Sequence, residues 1–123
     1  MTRILIVDDD PDVVEASQLF LEREGFEVDT ALSREEGARK VAEATPDLLI
    51  LDIMMTEPDD GIAMAQDLRR SGFRNPILML SSIDKVSGMH FAKNGEVLPV
   101  DDFVEKPVKP AVLVGKIKAL LEK

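Results

Sequence analysis

The sequence predicts an α/β fold built on a parallel sheet that is covered by helices on both faces. Two observations carry that prediction. Apolar runs of strand length recur along the chain, among them Ile4-Leu5-Ile6-Val7 and Leu48-Leu49-Ile50-Leu51. Each is too uniformly apolar for a strand with one wet face, and so suits a strand buried on both sides. Between the runs lie segments with helical spacing, and strands alternating with helices require crossovers and hence parallel pairing.

The elements follow in order. Ile4–Val7 reads as the first strand and ends in Asp8-Asp9-Asp10. Pro11 suits a first helical position, with Asp10 as N-cap and Asp12 in the first turn, where the helix dipole favours negative charge. That helix is expected to run to about Glu24, to bury Val13, Ser17, Phe20 and Leu21, and to end at Gly25. Residues 26–30 alternate apolar and polar, as in a strand near a sheet edge. Ser33 and Glu36 form a capping box opening a helix over about 34–44 that buries Ala38, Val41 and Ala42; Pro46 stops it. The strand Leu48–Leu51 then delivers Asp52. Residues 53–61 are a loop by composition, and a helix over about 61–71 carries Met64, Ala65 and Leu68 inward before Gly72. Pro76–Leu80 is a strand ending in Ser81-Ser82. Asp102–Glu105 is the last strand, followed by Lys106-Pro107. Pro110 starts a final helix with an apolar stripe of Leu113, Ile117, Leu120 and Leu121.

At 123 residues the chain is long enough for one domain with its own core, and residues 1–123 are read as that single domain. It has no cysteine, which excludes disulfides, thiolate metal sites and thiol nucleophiles. A net charge of −9 and the absence of Tyr and Trp argue against nucleic-acid binding by this domain. No apolar run approaches a membrane span and no signal-peptide pattern follows Met1, so a cytoplasmic location without membrane contact is expected.

All strands of a parallel sheet point their C-termini to one edge. Asp8 and Asp9 from the first strand, Asp52 from the third, Ser81 from the fourth and Lys106 from the fifth therefore converge, in the place where open α/β sheets bind ligands. Two carboxylates roughly 5 Å apart repel by about 3 kcal/mol at an effective dielectric near 20. A divalent cation and one lysine offset three such charges. Oxygen ligands alone suit Mg2+, which keeps waters and bridges to phosphate oxygens. A carboxylate beside it is a nucleophile toward phosphorus, with Lys106 and Ser81 placed to bind phosphoryl oxygens.

Four motifs, Ile4 to Asp10, Leu48 to Met55, Met79 to Ser82 and Asp102 to Pro107, resemble in order and spacing the receiver domain of two-component response regulators. The resemblance implies a flavodoxin-like doubly wound five-stranded sheet of order 2-1-3-4-5. It implies that Asp52 is the phosphoacceptor and that Asp9, Asp52 and the backbone carbonyl of Met54 are Mg2+ ligands, with Asp8 acting directly or through water. It further implies that Lys106 contacts the phosphoryl group, that Ser81 is the switch hydroxyl, and that Phe103 is the aromatic residue whose rotamer follows it. The implied phosphodonor is a histidine kinase or phosphotransfer protein, and the implied readout is a downstream protein or an output domain beyond Lys123. Such a domain is a signalling phosphoacceptor, an enzyme only toward its own phosphorylation and dephosphorylation.

Three features depart from the family. Thr56 stands where a proline is usual. From Ser81 to Lys106 the chain is about three residues longer than usual, and its stretch 83–100 has no convincing helix beyond a short one near 83–93, which predicts an atypical fourth helix region. Met54, apolar beside the reaction centre, predicts a long-lived phosphorylated state. Three rival readings remain. A haloacid-dehalogenase-type phosphatase wants an aspartate where Met54 stands. A calcium loop over Asp8, Asp10 and Asp12 wants Gly and Glu where Val13 and Leu19 stand. A degenerate receiver that binds without phosphorylation lacks its defining loss of a site residue.

Overall fold

The computed structural model describes residues 2–52, 60–82, 100–106 and 109–122, with backbone alone at 60, 81, 82 and 106. The expected short helix near 83–93, residues 53–59 of the expected loop 53–61, and Pro107 lie outside them, whereas residues 60 and 61 of that loop are helical. The five strands are β1 (Arg3–Val7), β2 (Glu27–Ala31), β3 (Leu48–Asp52), β4 (Ile77–Ser82) and β5 (Asp102–Lys106). Four helices are described: α1 (Pro11–Arg23), α2 (Arg34–Glu43), α3 (Asp60–Arg70) and α4 (Pro110–Leu121). All neighbouring strands are parallel, in the order β2-β1-β3-β4-β5. The parallel sheet is the one expected from the alternation of elements, and its doubly wound order is the one the family resemblance implies.

Side chains alternate across each strand, so each apolar run feeds two cores. Ile4, Ile6, Leu48, Ile50, Leu78, Leu80 and Val104 pack on one face with Val14 and Leu21 of α1 and Leu113, Ile117 and Leu120 of α4. Leu5, Val7, Leu49, Leu51 and Ile77 pack on the other with Val41 of α2 and Met64, Ala65 and Leu68 of α3. Every residue of β3 is buried, whereas β2 alternates, as its place at the edge requires.

The helix ends follow local chemistry. The Asp10 carboxylate accepts the Asp12 N–H at 3.0 Å, and Pro11 occupies the first turn. Gly25 at φ 95° closes α1 in the left-handed region, with the Phe26 N–H reaching back to the Leu21 carbonyl at 3.2 Å. The Ser33 hydroxyl accepts the Glu36 N–H at 3.1 Å, but the return arm of this box differs from the expected one. Glu36 Oε1 accepts from the Leu32 N–H at 2.8 Å, one residue before the cap.

Two expected helix faces are rotated. In α1 the buried valine is Val14, while Val13 and Phe20 are only partly buried. In α2 the buried line is Gly37 and Val41, and Ala38 and Ala42 are exposed. Close packing is the cause, because a Cβ on Gly37 would stand 2.8 Å from Val7 Cγ2 and 3.0 Å from Met64 Cε. The missing side chain lets α2 approach β1 along that line, which turns both alanines outward.

Candidate functional site

The pairing of Val7 with Leu51 puts the next residues, Asp8 and Asp52, abreast at the C-terminal edge of the sheet. Both are buried, at 0% and 5% exposure, and Asp9 beside them is exposed. One carboxylate oxygen from each of Asp8, Asp9 and Asp52 lies within 4.8 Å of the other two. The three acids singled out at the strand ends thus form one cluster, open to solvent through Asp9.

Backbone contacts fix Asp8 on two sides. Its N–H donates to the Ala31 carbonyl of β2 at 3.1 Å, and its Oδ1 accepts the Asp10 N–H at 3.0 Å. Asp10 therefore caps α1 with its side chain and braces Asp8 with its backbone. Sequence reasoning found the first role and missed the second, which no residue type signals.

Asp52 pairs with Leu80, so Ser81 is the next β4 residue beyond the level of Asp52, and Ser82 pairs with Lys106 at the end of β5. Their backbones thus end at the same edge as the carboxylates, while the side chains of Ser81 and Lys106 and all of Met54 lie outside the described residues. Phe103 is partly buried on β5. Its ring centroid lies 5.9 Å from Lys116 Nζ, which also reaches both carboxylate oxygens of Asp102 at 3.1 and 3.2 Å. This trio joins residues 14 apart in sequence and was not foreseen.

Oxygen donors at this separation fit a hard divalent cation that retains several waters. An open groove of about 710 Å3 lies elsewhere, between α2 and the residues after α3, lined by Ala38, Ala42, Phe73 and Asn75 among others. Only Asp67 and Arg74 of its lining carry charge. No described helix is long and apolar enough to cross a membrane.

A doubly wound parallel sheet with a carboxylate trio at its C-terminal edge is the fold and site of a receiver-type α/β domain. Comparison with known proteins gives the family directly, since residues 4–118 match the response regulator receiver domain. The chain belongs to that family, whose members are signalling proteins of two-component systems. It is 37% identical over 125 residues to the alkaline phosphatase synthesis transcriptional regulatory protein PhoP of Bacillus subtilis, covering 98% of this chain and 49% of that one. It is 36% identical over 125 residues to the transcriptional regulatory protein PrrA of Mycobacterium tuberculosis, covering 98% and 50%. The chain thus spans about half the length of the curated relatives it matches. A two-component response regulator from Clostridium difficile superposes with a TM-score of 0.86 at 30% identity, over 100% and 98% of the two chains. The response regulator TrrA of Thermotoga maritima, solved in complex with Mg(2+)-BeF, gives 0.81 at 32% identity, over 98% and 99%.

Proposed function

We propose that residues 1–123 form one receiver domain that takes a phosphoryl group onto Asp52 from a histidine kinase or phosphotransfer protein in the cytoplasm. The observation that carries this reading is the carboxylate trio, with oxygens of Asp8, Asp9 and Asp52 within 4.8 Å at the strand ends. An Asp52 oxygen forms a bond to phosphorus as the donor's phosphorus–nitrogen bond breaks, and the imidazole nitrogen leaves with the electron pair and takes up a proton. Asp9, Asp52 and the Met54 carbonyl would hold Mg2+, with Asp8 direct or through water. The ion supplies positive charge against the phosphoryl oxygens. Lys106 and Ser81 bind those oxygens.

Phosphorylation brings about two negative charges to Asp52. Ser81 is drawn to them, Phe103 turns toward the space it leaves, and the surface beside β5 and α4 changes its affinity for a downstream partner or output domain. This is a shift between two populated states rather than a change of fold.

Acetyl phosphate with Mg2+ tests the reading by intact-mass spectrometry. The expected product carries one phosphoryl group, which is absent in Asp52→Asn and absent without the metal. A wild-type chain that stays unmodified would instead be a degenerate receiver that binds without phosphorylation. A phosphoryl group that survives Asp52→Asn would remove Asp52 from the role.

A further inference from the structure

Asp102 pairs with Leu78, whose side chain belongs to the core beneath α1 and α4, so Asp102 shares that face of the sheet. Phe103, the next residue of the strand, points to the opposite face. Strand β5 is the sheet edge, which lets a side chain from α4 reach round it. Lys116 does so: its ammonium is 3.1 and 3.2 Å from the Asp102 carboxylate oxygens and 5.9 Å from the Phe103 ring centroid. One cation thus engages groups on both sides of the edge strand.

The side chains of Lys116 and Asp102 are 35% and 38% exposed, so as an ion pair they add little to stability. Their geometry matters more than their energy. The carboxylate holds the charge in one place, beside an aromatic ring that a cation attracts through the ring's quadrupole. Phe103 is partly buried on this edge strand, and a ring drawn toward Lys116 is withheld from positions further inside.

We propose that Lys116 is a positioning residue for the switch. Anchored by Asp102, it holds the Phe103 ring at the rim and opposes its withdrawal toward Ser81. The proposal rests on Phe103 being the switch aromatic of the proposed function. It assigns to α4 a direct hold on the resting state and makes the ease of switching depend on one surface ammonium.

The test uses the whole chain with 13C-labelled phenylalanine, followed by NMR before and after acetyl phosphate and Mg2+. Lys116→Met keeps the apolar stem and removes the charge. In its unphosphorylated form the Phe103 signal is expected part of the way toward the phosphorylated position. Its phosphorylation is expected to be about two- to fivefold faster, the weight of a solvent-exposed cation on an aromatic face. Lys116→Arg should match wild type, and Asp102→Asn should follow Lys116→Met in the same direction. In a Phe103→Leu background, Lys116→Met should change nothing. A wild-type signal and rate in Lys116→Met would overturn the latch, provided the wild-type Phe103 signal still moves on phosphorylation. So would an undiminished effect of Lys116→Met in the Phe103→Leu background. If that signal does not move in wild type, the switch reading fails and takes the latch with it.

Discussion

At the N-terminal edge of the sheet Asp101 accepts from Arg69 Nη2 at 2.9 Å and from the Ile77 N–H at 2.8 Å, whereas at the C-terminal edge three aspartates face one another within 4.8 Å. The first edge is braced throughout. Arg69 also donates to the carbonyls of Phe73 and Asn75 at 2.9 and 2.8 Å and lies 5.7 Å from the Phe73 ring centroid. Asp47 exchanges bonds with the backbone of Arg3, at 2.8 Å each way. Aspartate thus serves structure where donors surround it, and where its own kind is gathered it forms the cluster on which the proposed function rests. The gathering is tolerated because β1 and β3 are held by buried side chains on both faces, which hold the strand ends while like charges repel.

Breaking the braced edge is expected to have the largest effect on stability. Arg69→Ala removes the hydrogen bonds to Asp101, Phe73 and Asn75, the first to a carboxylate, and leaves two carbonyls to find other donors. A loss of about 2–3 kcal/mol is expected in denaturant unfolding. Phosphorylation of the folded fraction should survive, because the site lies at the other end of the strands. A loss under about 0.5 kcal/mol would mean that water replaces the guanidinium without cost.

Relieving the crowded edge should act in the opposite direction. Asp9→Asn removes one of three mutually repelling charges, and a like pair nearly 5 Å apart in water-rich surroundings costs about 1 kcal/mol. Asp9 takes part in two of the three pairs, so without Mg2+ the variant is expected to be about 2 kcal/mol more stable to denaturant than wild type. Adding Mg2+ should stabilise wild type and raise the variant far less. Loss of stability in the metal-free variant would show that Asp9 is held by favourable contacts and not by crowding.

How far the sequence reveals this contrast depends on how local each signal is. The two buried runs and the acids that end them are contiguous, so β1, β3 and the meeting of Asp8, Asp9 and Asp52 are legible in the chain itself. The caps at Asp10 and Ser33 and the stops at Gly25 and Gly72 are legible for the same reason. The choice between Val13 and Val14 is not, because adjacent valines sit 100° apart and periodicity favours neither. Gly37 escapes a linear reading because its burial depends on Val7 and Met64 rather than on its own helix. The braces Arg69–Asp101 and Lys116–Asp102 join residues 32 and 14 apart through side-chain reach alone, and nothing local announces them. Long-range polar contacts are where a linear reading runs out.

The smallest expected effect belongs to a carboxylate that resembles the braced edge in miniature. Asp29 on β2 is more than half exposed. Its partial burial favours the neutral acid. The Lys40 ammonium at 3.0 Å, the Thr30 N–H at 2.8 Å and the more distant charge of Arg3 outweigh that and hold its pKa below the ordinary value. Lys40 also donates to the Thr30 carbonyl, so the lysine covers part of the strand edge as well. A depressed folded pKa contributes stability that is complete above the unfolded value, about 3.9, and is lost as pH falls through the folded one. Exposure keeps the amount below about 0.5 kcal/mol. Wild type and Asp29→Asn should therefore differ slightly at pH 7, and the gap should close as pH falls below about 4, where the other carboxylates titrate alike in both and cancel from the difference. The gap should also narrow in high salt. A gap that persists unchanged under both conditions would assign the contribution of Asp29 to packing and hydrogen bonds that ignore its charge.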